Sequence, residues 1–157
     1  ATVHRANNTD NKKNLIQIME AFIQSKEKII FLVHPRTEKF LKSYKLYKKL
    51  KDSNVIVTKP IGYIDMLVLE KNSKKILTDS GGIQKEAYFF KVPCITLRDV
   101  TEWVETVNDG WNILTGANKS KIVDAIKNFK SKGKQNEDYG NGNASKNIVE
   151  VIDKISL

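Results

Sequence analysis

The sequence predicts an α/β protein in which a parallel sheet is wrapped by helices. Short β-branched or apolar runs alternate with longer stretches whose apolar residues recur at helical spacing. Such an alternation of strands and helices is typical of a parallel sheet. The 157 residues, 40% of them apolar and 29% charged, have the composition of one globular domain, which excludes disordered, collagen-like and fibrous proteins.

Several short runs are predicted to form the strands. The run at 29–33 is apolar throughout, which indicates a strand buried on both faces of the sheet. The other runs combine β-branched and apolar residues between polar turns. In chain order, the predicted strands are 2–3, 29–33, 55–57, 75–78, 94–97 and 112–114.

The stretches between these runs are predicted to be amphipathic helices. In the stretch 37–51 the apolar side chains face one way and the lysines largely the other, so these lysines form a solvated helix face. The polar stretch 130–143 contains three glycines and is predicted to be a loop or linker. In chain order, the predicted helices are 14–24, 37–51, 63–71, 82–90, 101–108, 119–129 and 144–155.

This pattern divides the chain into a main lobe at 1–143 and a terminal helix at 144–157. No internal repeat is visible. The terminal helix has an apolar stripe along one side, formed by Ile148, Val149, Ile152 and Ile155.

The chain is basic, with 27 Lys and Arg against 18 Asp and Glu and a net charge of +9. Such a surplus suggests a nucleic acid or a membrane surface as a partner. However, only Arg5, Arg36 and Arg98 are arginines, and the planar guanidinium is the usual reader of phosphates and base edges. We therefore expect most lysines to be ordinary solvated surface, with neither nucleic acid nor membrane as a partner.

The single cysteine, Cys94, lies in an apolar run, so the sequence contains neither a disulfide pair nor a cysteine-rich metal site. No apolar run approaches the ~20 residues needed to cross a bilayer, and the first residues lack the apolar core of a signal peptide. These features predict a cytoplasmic protein. The chain does not begin with Met, which suggests processing or a fragment of something longer.

Polar residues collect where the predicted strands end. His4 and Arg5, His34 and Arg36, the stretch 79–82, and Arg98 with Asp99 each follow a strand. In an open parallel sheet, ligands bind outside the carboxyl ends of the strands. Because both histidines and all three arginines lie at these turns, we expect this edge to be functional.

The Ser80-Gly81-Gly82 turn lies between a strand and a helix, where backbone N–H groups and the helix dipole favour an anion. The two glycines would let a phosphate approach closely, or they would serve a tight turn that needs positive φ. Glu86 lies one helical turn after Gly82, on the same face. A carboxylate there would repel phosphate, so Glu86 would instead accept hydrogen bonds from hydroxyls such as a ribose diol, unless it is an ordinary solvated acid.

The histidines remain ambiguous from the sequence. His4 could donate to a phosphate or shuttle a proton, and both His4 and His34 could equally be structural. The two histidines and the one cysteine lack metal-ligand spacing, so no metal site is predicted. No Ser-His-Asp or Cys-His arrangement is indicated either, and Trp103 is expected to pack near the same edge.

Six motifs along the chain resemble, in order, those of the non-hydrolysing UDP-N-acetylglucosamine 2-epimerases. The Thr-Asp-Ser-Gly-Gly-Ile-Gln-x-Glu string is highly specific for that family. The motifs are Thr-Val-His-Arg at 2–5, His-Pro at 34–35, Pro-Ile-Gly-Tyr-Ile-Asp-Met-Leu at 60–67, Leu-Thr-Asp-Ser-Gly-Gly-Ile-Gln-Lys-Glu-Ala at 77–87, Leu-Arg-Asp-Val-Thr-Glu at 97–102 and Tyr-Gly-Asn-Gly-Asn-Ala-Ser at 139–145.

The resemblance is to the carboxyl-terminal half of that enzyme. It implies a three-layer Rossmann-like lobe, with a parallel sheet and helices on both faces, as one half of a two-domain glycosyltransferase-B fold. The terminal helix at 144–157 would then cross to a missing amino-terminal lobe. The resemblance also implies a homodimer as the full-length enzyme, a part in making cell-surface polysaccharides, and no cofactor.

The family inverts C2 of UDP-GlcNAc to give UDP-ManNAc, by anti elimination of UDP to a 2-acetamidoglucal and re-addition. By resemblance, His4 would be the catalytic residue of this chain: it would contact the phosphates and assist departure of UDP. His34 would match a position that belongs to a regulatory UDP-GlcNAc site in some bacterial members. The resemblance implies these further substrate contacts: Ser80, Gly81 and Gly82 at the diphosphate, Glu86 at the ribose, Ile61 and Met66 at the uracil, and Arg98.

The chain departs from the family pattern in three respects. Asn7 stands where the common motif His-Arg-x-Glu-Asn has an acid. Trp103 replaces an arginine that contacts substrate in many members. The amino-terminal carboxylates proposed to move the C2 proton are absent. We therefore expect weak UDP binding and no turnover from these 157 residues. The alternatives are half of a glycosyltransferase of the same architecture, or a non-catalytic module that binds UDP-sugars.

Overall fold

The computed structural model describes residues 1–131, 133–136 and 138–155. Parallel strands alternate with helices throughout, as the sequence predicts. The elements are α1 (Ala6–Thr9), α2 (Lys12–Ser25), β1 (Ile29–Leu32), α3 (Pro35–Ser43), α4 (Tyr47–Lys51), β2 (Val55–Thr58), α5 (Tyr63–Lys71), β3 (Ile76–Thr78), α6 (Gly81–Phe89), β4 (Cys94–Thr96), α7 (Val104–Asn108), β5 (Asn112–Leu114), α8 (Lys119–Asn128) and α9 (Ala144–Ile155).

The strands form two parallel ladders joined by one residue. β1 pairs with β2, and β4 pairs with both β3 and β5. Thr2 bridges Leu32 of β1 and Thr78 of β3, both in parallel, so the spatial order is β2, β1, Thr2, β3, β4, β5. The carboxyl ends of all these strands therefore meet at one edge of the molecule.

The expectation of a full strand at 2–3 is wrong, because only Thr2 joins the ladder. The N–H groups of His4 and Arg5 donate to the carboxylate of Asp79 instead of continuing the backbone pairing. The extended segment thus turns out of the sheet directly after Val3.

Helices cover both faces of the sheet, which confirms the three-layer arrangement. Leu77 and Ile95 belong to the core that α2, α3, α4 and α8 cover. Ile76 and Cys94, one position earlier in each strand, point to the opposite face and pack with Ala87 of α6. Successive side chains of a strand alternate between faces, so these two clusters lie on opposite sides of one sheet.

The second face is incompletely covered at β1 and β2. Ile30 and Ile56 are register partners there, and they are 36% and 45% exposed. The expectation that 29–33 is buried on both faces is therefore wrong at Ile30, since no helix among the described residues buries it.

Two predicted helices are shorter than the pattern suggests. The stretch 37–51 is broken into α3 and α4, because Lys45 takes a left-handed conformation with φ of 59° and Leu46 then turns into the core. The stretch 101–108 becomes helical only at Val104, because the Trp103 N–H donates to Thr101 Oγ1 and closes a turn before the helix.

The carboxyl-terminal part of the chain follows the predicted order of a loop and then a helix. Positions 132 and 137 of the expected loop at 130–143, and 156–157 of the expected terminal segment, lie outside the described residues. α9 contains no buried residue within 144–155. Among the described helices, none combines the length and the apolar character needed to cross a bilayer.

Candidate functional site

A buried carboxylate organises the sheet edge where the candidate residues meet. Asp79 directly follows β3 and is completely buried. Its oxygens accept the backbone N–H groups of His4 at 3.0 and 3.2 Å and of Arg5 at 3.0 Å, and the side-chain amide of Asn8 at 3.0 Å. Because a buried carboxylate needs such donors, Asp79 fixes the path of the chain through His4.

Asp79 also lies beside the imidazole of His4. His4 Nδ1 is 3.4 Å from Asp79 Oδ1, and the ring remains partly exposed. A carboxylate on this side of the ring favours the tautomer that carries its hydrogen on Nδ1. Nε2 is then the nitrogen available to a ligand.

His34 lies close to His4, with the ring centroids 6.2 Å apart. It caps α3: its Nδ1 accepts the Arg36 N–H at 3.2 Å, and Pro35 occupies the first helical position. One nitrogen of His34 is thus used by the fold, and the structure brings both histidines to one place.

An apolar cavity of about 180 Å³ opens beside the two histidines. Met66 of α5 and Ile61, from the turn before that helix, form part of its wall. The structure therefore brings together four of the candidates that the sequence separates by up to 62 positions. The residues that line the cavity are Thr2, Val3, His4, Leu32, His34, Pro60, Ile61, Met66 and Ile83.

The Ser80-Gly81-Gly82 turn forms the start of α6. Ser80 is the N-cap residue, but its hydroxyl makes no capping hydrogen bond to any N–H that the structure describes. Both glycines have ordinary φ values, so the positive-φ explanation for them is wrong. A Cβ at Gly82 would have only Ser80 Oγ nearby among described atoms, at 3.9 Å, so packing within the chain does not require a glycine there. The first N–H groups of α6 thus face an open surface.

Gly81 faces a crowded corner. A Cβ there would stand 3.2 Å from the indole nitrogen of Trp103, 3.8 Å from Glu102 Oε2 and 4.0 Å from Arg5 Nη2. Trp103 thus lies beside the start of α6, at the sheet edge where the sequence places it. Lys85 places its ammonium 4.1 Å from the centre of one face of that indole.

Glu86 lies on α6, one turn beyond Gly82, and is only partly buried. The hydroxyl of Tyr63 donates to Glu86 Oε1 at 3.1 Å, linking α5 to α6. The carboxylate of Glu86 raises the pKa of Tyr63 above its usual value, through this hydrogen bond first and its charge second. Glu86 is therefore an acceptor that already holds one hydroxyl.

Arg98, by contrast, is engaged by a carboxylate. Its Nη1 and Nη2 donate to the two oxygens of Glu102 at 2.9 and 2.8 Å. This bidentate bond is the largest cause of a Glu102 pKa lowered to about 2. Arg98 also borders a separate polar cavity of about 250 Å³ with Asn8 and Lys13.

The sequence placed Asp79 at the functional edge without a role for its side chain, and it did not indicate Tyr63 as a site residue. The role of Asp79 could have been found, because an acid at the end of an apolar strand and directly before the glycines must be paired once buried. The Tyr63–Glu86 bond depends on how α5 lies against α6, which the sequence does not reveal. Within the described part of the chain, no cluster of three or more His, Cys, Asp and Glu side chains could hold a metal ion.

These features define a class of protein. A helix start with unblocked N–H groups, next to histidine and arginine and an apolar cavity at the carboxyl edge of a parallel sheet, is the arrangement of a nucleotide-type anion site. The family model for UDP-N-acetylglucosamine 2-epimerase matches residues 1–153. The chain therefore belongs to the UDP-N-acetylglucosamine 2-epimerase family.

Similar proteins agree with this assignment. The chain is 60% identical over 154 residues to a UDP-N-acetylglucosamine 2-epimerase homolog of Methanococcus maripaludis, covering 97% of this chain and 43% of that protein. It is 42% identical over 160 residues to a UDP-2,3-diacetamido-2,3-dideoxy-D-glucuronate 2-epimerase of Pseudomonas aeruginosa. That match covers 99% of this chain and 44% of that protein.

A solved structure shares the fold. The UDP-GlcNAc 2-epimerase of Methanocaldococcus jannaschii in complex with UDP-GlcNAc and UDP superposes with a TM-score of 0.87 at 46% identity, covering 98% of this chain and 44% of that one. The fold is thus one lobe of the glycosyltransferase-B type, as the sequence predicts. The chain spans somewhat less than half the length of the relatives it matches.

Proposed function

We propose that this chain is the carboxyl-terminal, nucleotide-binding part of a UDP-N-acetylglucosamine 2-epimerase, an isomerase that interconverts UDP-GlcNAc and UDP-ManNAc. The observation that carries the proposal is the meeting of His4 with the open start of α6 at one sheet edge. That edge lies in a chain 46% identical to an enzyme solved with UDP-GlcNAc and UDP.

The diphosphate is proposed to bind at the start of α6. Ser80, Gly81 and Gly82 would present backbone N–H groups and a hydroxyl to the phosphate oxygens, and the helix dipole would favour their charge. Arg98 would add positive charge. Its contacts to Glu102 use two of the five guanidinium N–H groups, which leaves the others for a ligand.

The uridine is proposed to lie across α5 and α6. Glu86 would accept hydrogen bonds from the ribose hydroxyls, with Tyr63 orienting its carboxylate. The apolar wall formed by Ile61 and Met66 suits the flat face of a uracil ring, whose edge would bond to backbone groups of the preceding turn.

In the proposed reaction, a base on the other lobe removes the C2 proton while the bond from C1 to the UDP oxygen breaks. UDP leaves with the electron pair of that bond and a 2-acetamidoglucal remains. His4 would stabilise the charge on the departing phosphate or protonate it, with Asp79 holding the imidazole in place. Return of UDP to C1 with protonation of C2 from the opposite face gives the inverted sugar.

The sugar itself is a separate part of the proposal. UDP-GlcNAc is the first candidate because the family and the solved relative carry its name. A modified UDP-GlcNAc is the second, because Trp103 stands where the family motif commonly has arginine and one relative is named for a diacetamido-glucuronate.

The wider assignments remain part of the same proposal. The whole protein would be a cytoplasmic homodimer that supplies sugars for cell-surface polysaccharides. α9, which lies outside the core, would cross to an amino-terminal lobe. Residues 1–143 and 144–157 would then be two structural units of one enzyme.

UDP titration of the purified chain tests the binding site. Glu86→Ala should weaken UDP binding because it removes the ribose acceptor, and Ser80→Trp should abolish it because the side chain fills the α6 start. Glu150→Ala on the exposed face of α9 is the control and should bind like the parent. Unchanged UDP affinity in both site variants would refute the proposed site.

Product analysis tests the reaction. A longer protein that includes the amino-terminal lobe should convert UDP-GlcNAc to UDP-ManNAc without an acceptor, while the 157-residue chain should not. Sugar transfer to an acceptor would instead identify a glycosyltransferase. Binding without turnover in the full-length protein would identify a UDP-sugar-binding module.

A further inference from the structure

The indole N–H of Trp103 is a buried donor without an acceptor. Its nitrogen is inaccessible to solvent and has no hydrogen-bond partner among the described residues. A buried donor left unpaired is costly, and such groups are uncommon in folded proteins. The indole nitrogen is a donor only, so its missing partner must be an acceptor atom.

The position of this donor indicates where the acceptor lies. The nitrogen is 3.2 Å from the point that a Cβ on Gly81 would occupy, and Arg5 Nη2 is 4.0 Å from the same point. A neutral donor, a guanidinium and the N–H end of α6 therefore converge on one corner. The acid in that corner, Glu102, is already paired with Arg98.

The surrounding residues hold Trp103 in this orientation. The backbone N–H of Trp103 donates to Thr101 Oγ1 at 3.1 Å, and that hydroxyl donates to Gln84 Oε1 at 2.6 Å. Tyr139 packs edge-on against the indole, and the Lys85 ammonium covers one face of it. The donor is thus fixed before any ligand arrives, which lowers the entropic cost of using it.

We propose that the Trp103 indole N–H donates a hydrogen bond to a diphosphate oxygen of the bound nucleotide sugar. This inference rests on the proposed function, since it adds a contact to the same site. A diphosphate oxygen is the favoured acceptor because the other groups that converge on this corner, Arg5 and the α6 start, both favour an anion. Trp103 thereby supplies a binding contact with a neutral donor at a motif position where arginine is common.

The test compares UDP with uridine by NMR titration of the chain. Trp103→Phe keeps an aromatic face for Lys85 but removes the N–H. UDP affinity should fall by about 10- to 100-fold, as expected for one lost hydrogen bond to a charged oxygen, while uridine affinity should not change. Replacement of Trp103 by benzothienylalanine keeps the two-ring shape without the N–H and should give the same loss of UDP affinity. This second variant keeps the test valid if the Phe variant does not fold.

Trp111 provides the matched control. Its indole nitrogen is also buried without a partner among the described residues, but it does not approach Gly81. Trp111→Phe should leave UDP affinity unchanged. An equal loss in both tryptophan variants would mean that the effect is a general one on folding, and would overturn the assignment.

Other outcomes separate this inference from the proposed function. If the parent binds UDP and both Trp103 replacements bind it equally well, the inference fails and the proposed function stands. If the replacements weaken UDP-GlcNAc but not UDP, the acceptor lies on the sugar and the diphosphate assignment is wrong. If the folded parent does not bind UDP at all, the proposed function and this inference fail together.

Discussion

At the scale of single residues, one carboxylate determines the geometry of the site. Asp79 is buried and accepts backbone N–H groups from His4 and Arg5, and it lies beside the His4 ring. The same residue therefore ends the pairing of the first segment and orients the proposed catalytic histidine. We expect both folding and the proposed function to depend on these hydrogen bonds.

Asp79→Asn should destabilise the chain. An amide replaces one accepting oxygen by a donor, which then faces the N–H groups and leaves at least one of them unpaired in a buried place. We expect a loss of about 3 kcal/mol in the free energy of unfolding, measured by urea denaturation. Asp52→Asn, at an exposed position, is the control and should change the stability by less than about 0.5 kcal/mol. Equal stability of the two variants would contradict this role.

Gly82→Ala should separate binding from stability. Gly82 is exposed, has an ordinary φ and has room for a Cβ, and alanine favours a helix over glycine by up to about 1 kcal/mol. The variant should therefore be at least as stable as the parent. If a phosphate approaches this backbone, the added methyl group should weaken UDP binding by about tenfold or more, which corresponds to at least 1.4 kcal/mol.

The same helical position in α8 provides the control for Gly82. Ser120 is also the second residue of its helix and is exposed, and Ser120→Ala should leave UDP binding unchanged. UDP affinity of the Gly82 variant equal to that of the parent would mean that no phosphate lies against this turn.

Residue types and their placement at strand ends indicate which residues meet, but they do not reveal their partners. The sequence places His4, His34 and Ser80 at one edge because the topology of a parallel sheet requires it. The pairing of Arg98 with Glu102 and the approach of Trp103 to Gly81 depend on how the turn at 101–103 packs, and no periodic pattern encodes that.

At the scale of elements, the sequence predicts strands and helices where hydrophobic periodicity decides them. α5, β5 and α9 have the predicted bounds, because each is a clear run between polar breaks. The helix break near Lys45 was not predictable, since neither Gly nor Pro marks it. A lysine takes the left-handed conformation there so that Leu46 can enter the core.

α5 carries an unusual buried acid that gives a further prediction. Glu70 is buried, and neither carboxylate oxygen has a partner among the described residues. Burial, and then the charge of Glu86, raise the pKa of Glu70 from 4.5 to about 7. Between these values Glu70 holds more protons in the folded chain than in the unfolded chain, so its contribution to the free energy of unfolding is lost as pH rises through about 7.

Glu70→Leu should therefore flatten this pH dependence. At pH 4 the free energy of unfolding of the variant should be close to that of the parent. At pH 8 it should be higher by at most roughly 3 kcal/mol, which is the size of the pKa shift converted to energy. Urea denaturation at both pH values measures it. Glu27→Leu, at an exposed position, should keep the slope of the parent. If Glu70→Leu retained the slope, the stability loss would have another origin.

At the scale of the whole molecule, the site is proposed to form one side of a cleft. The candidate residues line an open edge, and the chain spans about 43% of its relatives' length. We therefore expect the base that the proposed reaction needs at C2 to lie in the part of the relatives that these residues do not match. The basic surplus does not define the site, because the lysines of α3 and α4 lie on the outside while Arg5 and Arg98 stand at the edge.

α9 has an apolar face that the rest of the described chain does not bury. Ile148, Val149, Val151 and Ile155 are each more than half exposed, and a contiguous apolar surface of this kind favours association in water. The purified chain should self-associate, with a sedimentation coefficient that rises with concentration. The double variant Ile148→Glu/Ile155→Glu should remain monomeric. Ser145→Glu/Asn147→Glu adds the same charge at polar positions of α9, so it should associate like the parent. A parent chain that stays monomeric at all concentrations would show that this face does not drive association.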